Sequence, residues 1–280
     1  MKIAIATDST SGIYPDEAQQ LGISVLPMPV TIDGQEYLET VNLEHDFFFR
    51  KQQEGAQITT SQPAPADLED LWNNLLTTHD AVLYLPMTSG LSSSYASALA
   101  LSDDYDGKVA VVDTRRISVP LYQMAADAKK LADRGLSLQE IRVRLEEKAL
   151  SASIYLTPTT LEYLKKGGRI SAATAAAGTL LSIKPAIAVC DGEVVMAGKA
   201  RGNHQGNLLL EKLILEHGGV NFSKPVALVY SGLNDDLLQK FIAECPDLWG
   251  GRTELPCYSL GCAIGTHVGP GAYGVAFFEE

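Results

Sequence analysis

Thr88-Ser89-Gly90-Leu91-Ser92-Ser93-Ser94-Tyr95 joins a continuous apolar stretch, Ala81 to Met87, to a helical period that runs to about Ser102. A buried strand feeding a helix through a short polar loop is the unit from which parallel α/β sheets are built. The loop is rich in hydroxyls and holds one glycine. Free N–H groups at a helix N-terminus carry partial positive charge, and serine hydroxyls add rotatable donors, so the stretch suits a carboxylate or a phosphate. The same residues also serve as an ordinary N-cap, with Ser92 or Ser93 satisfying the first turn.

Working outward, Ile3 to Ala6 and Lys108 to Val112 repeat the pattern of short apolar strand, loop and helical period. The first half therefore reads as a parallel sheet with crossover helices. Helices are predicted over 118–134 and 137–150, the second with Leu138, Ile141, Leu145 and Leu150 on one side and a Ser137/Glu140 capping box at its start. After Ser151 the pattern changes. A strand is predicted over 154–156, a helix ending at Lys165-Lys166-Gly167-Gly168, a small-residue helix over 172–181, and a hairpin with strands 185–189 and 193–197 around Asp191-Gly192. Strands over 226–230, 254–259 and 272–278 alternate with helices near 207–216 and 235–243. The expected architecture is α/β: an N-terminal parallel-sheet domain over 1–155 and a C-terminal α+β domain with a mixed or antiparallel sheet over 156–280.

A chain of 280 residues is long enough for two lobes with a cleft between them. Its 46% hydrophobic and 20% charged residues are those of a water-soluble globular protein, and a net charge of −12 argues against nucleic acid as a partner. An anionic ligand would need local cations. No apolar run approaches the ~18 residues of a membrane span, and Met1 to Thr7, stopped by Asp8, is too short for a signal-peptide core, so a cytoplasmic location is expected. Cys190, Cys245, Cys257 and Cys262 form no CxxC pair, which gives no metal or disulfide signature.

Three further polar segments stand out. Ile58-Thr59-Thr60-Ser61-Gln62-Pro63 is a hydroxyl cluster before a helix; Leu164 to Ser171 releases Arg169 after two glycines; Gly265 to Ala272 is a glycine-dense loop holding His267. Each has an ordinary reading as a turn, a solvated charge or a structural histidine. Together with the serine loop they supply hydroxyls, backbone N–H groups, a guanidinium and an imidazole, the donors a carboxylate clamp requires.

TDST at Thr7 to Thr10, TSQP at Thr60 to Pro63, SGLSSSY at Ser89 to Tyr95, LKKGGRIS at Leu164 to Ser171, IKP with a following DG at Ile183 to Gly192, and HVGPGAYG at His267 to Gly274 resemble, in order and spacing, the DegV family. The resemblance implies one long-chain fatty acid, such as palmitate, stearate or oleate, held between the two domains and no other cofactor. It implies a carrier without catalytic residues or metal, which presents the acyl carboxylate to a separate fatty acid kinase for conversion to acyl-phosphate in phospholipid synthesis. Transient contact with a membrane is compatible with that role. Carried over by position, the carboxylate-binding groups are Thr60, Ser61, Ser92, Ser93, Arg169 and His267. Arg201 matches a basic position open to two readings, contact with the kinase or an exposed salt bridge. The sequence departs from the family where Ser93-Ser94 replace the usual Gly-Thr, and where Ile117-Ser118-Val119-Pro120-Leu121 replace a glycine-rich stretch. Met87, Met124, Phe47, Phe48, Phe49 and Leu180 could line the lipid slot or belong to the core.

A competing reading is a serine hydrolase with Ser92 as nucleophile, His267 as base and Asp113 or Asp191 as acid. Gly90-Leu91-Ser92-Ser93-Ser94 approaches a nucleophile elbow but lacks its second glycine. A third keeps the DegV fold with another amphipathic acid or an isoprenoid as cargo, carried or sensed.

Overall fold

The structure is a computed structural model that describes residues 1–170, 183–252 and 254–278. The helix expected over 172–181, together with Ser171 and Leu180, lies outside the described residues. Strand β1 (Ile3–Asp8) lies between β2 (Ile23–Leu26) and β6 (Ala81–Leu85), and β7 (Val109–Val111) completes a four-stranded parallel sheet in the order β2-β1-β6-β7. Every residue of β1 and β6 is buried, as a strand covered on both faces by helices must be. The order reverses at β1, so the connections leave the C-terminal ends of β1 and β6 in opposite directions and open a crevice there.

That crevice is tied by Asp8, the last residue of β1. Its carboxylate accepts from Thr10 N–H (2.9 Å) and Thr10 Oγ1 (2.5 Å), and across the crevice from Met87 N–H (2.7 Å). The apolar run to Met87 leaves the sheet at Leu85, because Pro86 has no N–H to give the ladder.

The first half also contains an antiparallel sheet that the strand reading above does not anticipate. It comprises β3 (Pro29–Ile32), β4 (Gln35–Leu38) and β5 (Ile58–Thr60), in the order β4-β3-β5. Helix α5 (Val119–Asp133) and helix α6 (Leu138–Glu147) follow β7, and the Ser137/Glu140 capping box opens α6.

The second sheet has six strands: β8 (Ala152–Thr157), β9 (Ile183–Cys190), β10 (Glu193–Arg201), β11 (Val226–Tyr230), β12 (Cys257–Ser259) and β13 (Tyr273–Phe278), in the order β10-β9-β8-β13-β11-β12. All its pairings are antiparallel except β11 with β12, so the sheet is mixed. It starts at Ala152, which puts residue 155 inside a strand. β12 is shorter than the run from Glu254 predicts, since Pro256 again removes a ladder donor.

Alternation divides this sheet between two cores. Ile154 and Leu156 on β8 stand opposite Val189 and Ile187 on β9 and face the first sheet's side of the molecule. Tyr155 and Ala188, one residue out of phase, pack instead with Phe277, Leu210 and Phe241 on the other face. The loop that follows β6 meets the tip of the β9–β10 hairpin, where Thr88 Oγ1 donates to Gly192 O (2.8 Å).

Candidate functional site

Between the parallel sheet's crevice and the inner face of β8 and β9 lies a cavity of about 780 Å³, counted to its open mouth. Thr10 and Met87, from the ends of β1 and β6, form one wall; Ile154, Leu156, Ile187 and Val189 form the block opposite.

Polar side chains gather at one end. Thr60, Ser61, Ser92, Arg169 and His267 all line this cavity. Ser93 is exposed and faces an adjoining open depression shared with Ser92 and Arg169. Arg201 does not join them: it is exposed at the far end of β10, paired with Ile183.

Two of these residues stand on elements other than the loops expected. Thr60 ends strand β5, and His267 occupies the last turn of a helix, α10 (Cys262–Val268), rather than a glycine loop. Gly265 reads as a loop residue, but it is there for close packing. A Cβ at that position would lie 2.9 Å from Phe49 Cζ and 3.1 Å from Phe48 Cε1 on helix α2 (His45–Gln53). Phe48 and Phe49 therefore seat α10, and neither lines the cavity; of the proposed lining residues, Met87 does.

Thr60 Oγ1 and His267 Nε2 are 2.8 Å apart. Among the described residues His267 Nδ1 is buried without a hydrogen-bond partner, and it lies against Gly167, where a Cβ would come within 2.1 Å. An orphaned acceptor is tolerated better than an orphaned N–H. With the proton on Nε2, the ring donates to Thr60 Oγ1 and leaves the threonine's own proton for a ligand. Burial, aided by the Arg169 charge, pulls the imidazole down to about 4, so the ring is neutral near pH 7.

Ser92 is organised in the same way. Its Oγ accepts from Ser94 N–H (3.1 Å) and lies 2.8 Å from Ser94 Oγ, so with Ser94 as donor the Ser92 proton points elsewhere. Ser93, where the family's glycine would stand, takes an ordinary right-handed backbone (φ −76°) just ahead of helix α4 (Ser94–Ser102) and needs no glycine. Arg169 braces the arrangement: Nε donates to Leu91 O (3.1 Å) and Nη1 to Gly167 O (2.6 Å), which among the described residues leaves Nη2 for an anion. The site thus offers two hydroxyls and a guanidinium at the end of an apolar slot, a set suited to holding a carboxylate.

A hydrolytic triad is not assembled. His267 bonds Thr60 rather than Ser92, and no carboxylate among the described residues reaches its Nδ1. Asp113 is taken up by Arg115 (2.9 Å) and Ser89 Oγ (2.7 Å).

The model of the family described as "Uncharacterised protein, DegV family" matches residues 2–280. The chain belongs to the DegV family. A DegV domain-containing protein of Caldanaerobacter subterraneus subsp. tengcongensis is 31% identical, over 100% of this chain and 99% of its own length. Among solved structures, a fatty-acid-binding DegV family protein from Thermus thermophilus is similar with a TM-score of 0.86 and 33% identity, covering 99% of this chain and 100% of its own. A fatty-acid-binding DegV family protein from Streptococcus agalactiae reaches a TM-score of 0.87 at 26% identity, covering 100% of this chain and 99% of that one. The DegV architecture, a parallel-sheet domain beside a mixed-sheet domain, is that of the present fold. Among the described residues no helix is long and apolar enough to cross a membrane.

Proposed function

We propose that this DegV protein binds one long-chain fatty acid, with its carboxylate on Thr60, Ser92 and Arg169 and its tail in the apolar slot, and presents that carboxylate to a separate kinase for phosphorylation. The observation that carries the reading is the gathering of Thr60, Ser92, Arg169 and His267 on one cavity whose lining is otherwise mostly apolar. The fatty-acid binding of DegV proteins that share its fold supports it.

The energetics suit a carrier. A ~16-carbon tail gains about 12 kcal/mol on leaving water, before immobilisation is subtracted. A bilayer offers the tail an equally apolar home, so extraction from a membrane is decided by packing shape and by the headgroup. Two or three charge-assisted hydrogen bonds of about 1.5–3 kcal/mol each have the required size. They also hold the carboxylate in one position for an incoming phosphoryl group. The chain has no GxxxxGK loop of its own, in keeping with a kinase supplied by a partner. In this reading the protein works in the cytoplasm.

Purified protein, ATP and palmitate, with and without a fatty acid kinase, test the division of labour. Acyl-phosphate is expected only with the kinase present, and Ser92→Ala is expected to lower its formation. Acyl-phosphate made by the protein alone, or none with the kinase, would refute the carrier role.

A further inference from the structure

A second groove, of about 1,400 Å³ and open to solvent, shares no lining residue with the lipid cavity. Among the described residues, its walls carry Arg116, Lys130, Arg134, Arg144, Lys148 and Lys224 against two carboxylates, Asp127 and Glu147. In a chain of net charge −12 this is a local reversal of sign. The cations come from separate segments: Arg116 follows β7, Lys130 and Arg134 lie at the end of α5, Arg144 and Lys148 at the end of α6, and Lys224 ahead of β11.

Their pairing is incomplete. Lys130 bonds Asp127 at 3.1 Å, while the other five make no ion pair among the described residues. Cations at helix C-termini complement the helix dipole, which accounts for Arg134 and Lys148. It does not account for Arg116 or Lys224.

Arg116 is the most telling member, because only 5% of it is exposed. Its Nε donates to Ala149 O (3.2 Å), and Nη2 donates to Lys148 O and to Ser151 Oγ (3.2 Å). The guanidinium lies over the Phe278 ring, 5.3 Å from its centre. These contacts engage Nε and Nη2 and fix the fork. The hydrogen bonds of Arg116 go to neutral oxygens and Asp127 is the carboxylate that acts on its charge, so this buried cation and its five neighbours are compensated only in part.

We propose that this groove is a binding site for a phosphate-bearing anion. Two guanidiniums, Arg134 and Arg144, match the paired oxygens of a phosphate, Arg116 adds its charge beside them, and the lysines add point charges for a second phosphoryl group. Two sources share this chemistry: a soluble di- or triphosphate, and the headgroup of an anionic phospholipid.

The test uses the full chain and an Arg144→Glu/Lys148→Glu double variant, titrated with inorganic pyrophosphate and, separately, mixed with phosphatidylglycerol or phosphatidylcholine vesicles. Wild type is expected to bind pyrophosphate, phosphatidylglycerol vesicles, or both, with the double variant weakened about tenfold or more. Its far-ultraviolet circular dichroism and palmitate binding should stay unchanged. Pyrophosphate binding alone assigns a soluble ligand; retention on phosphatidylglycerol alone assigns a headgroup. Absence of both up to about 10 mM phosphate, or equal binding by the double variant, would overturn the proposal.

Discussion

Thr60 Oγ1 lies 2.8 Å from His267 Nε2, joining the end of β5 to the last turn of α10 across 207 residues of chain. The bond turns a threonine hydroxyl into an oriented donor. Thr60→Val keeps the shape and removes the donor. The loss of one charge-assisted bond, about 1.5–3 kcal/mol, should weaken palmitate binding roughly 10- to 150-fold in calorimetry, and the melting temperature should fall by a few degrees because His267 Nε2–H loses its acceptor. An unaltered affinity would remove Thr60 from the clamp.

Gly167 sets the position of the His267 ring. A Cβ there would come within 2.1 Å of Nδ1, so Gly167→Ala must displace the imidazole and with it Thr60. Fatty-acid affinity should fall about as far as in Thr60→Val, with no further loss when the two substitutions are combined. Additive losses would mean that the glycine acts elsewhere.

The buried imidazole makes stability depend on pH. Its ordinary value is 6.5 and the folded protein holds it at about 4, so between these values the unfolded chain binds a proton that the folded chain refuses. This contribution is whole above pH 6.5 and is lost as pH falls toward 4, on the order of 2 kcal/mol for a partly buried group. Glu39 works in the opposite sense. Burial raises it to about 7 although Ser9 Oγ and Ala263 N–H donate to it, so its contribution is whole at acid pH and is lost as pH rises through 7. Urea unfolding of wild type and His267→Asn at pH 4.5 and 7 separates the two: the variant should lose less stability on acidification. Parallel profiles would contradict the assignment.

Ser118 follows from the same kind of local reading. It adopts φ +56° and ψ −141°, a region glycine enters freely and a serine enters at a cost of about 1–3 kcal/mol. This is the stretch where the sequence departs from the family's glycine-rich pattern. Ser118→Gly should gain about 1 kcal/mol after the glycine's extra unfolded-state entropy is deducted, read as a higher denaturation midpoint. A lower midpoint would show that the serine side chain is needed there.

Much of this architecture is legible in the chain because its signals are local. Buried strands such as Ala81 to Leu85 read as apolar runs, the Asp191-Gly192 hairpin as a turn pair, and α6 as a capping box. The small sheet β4-β3-β5 escapes, since its strands have three or four residues and β4 is largely exposed, too short for a period to register. Helix α10 escapes because Gly265 and Gly269 imitate a loop; the reason for Gly265 is the aromatic pair pressing on it, which only the fold supplies. For the site, sequence identifies donors but not their partners. That His267 meets Thr60 and that Arg169 spans Leu91 and Gly167 are properties of packing between the two sheets.

Slot depth sets chain length. Ile187 stands opposite Leu156 on the cavity wall. Ile187→Phe should fill part of the slot and move the preferred acid shorter by about two to four carbons in a competition series.

The central claim is that a carboxylate grip and a buried tail act together, and comparing palmitate with methyl palmitate on delipidated protein by calorimetry measures it most directly. The account predicts one saturable site for the acid and an affinity for the ester lower by about 100-fold or more, as the charge-assisted bonds are lost. Equal affinities, or no saturable binding of the acid, would contradict it.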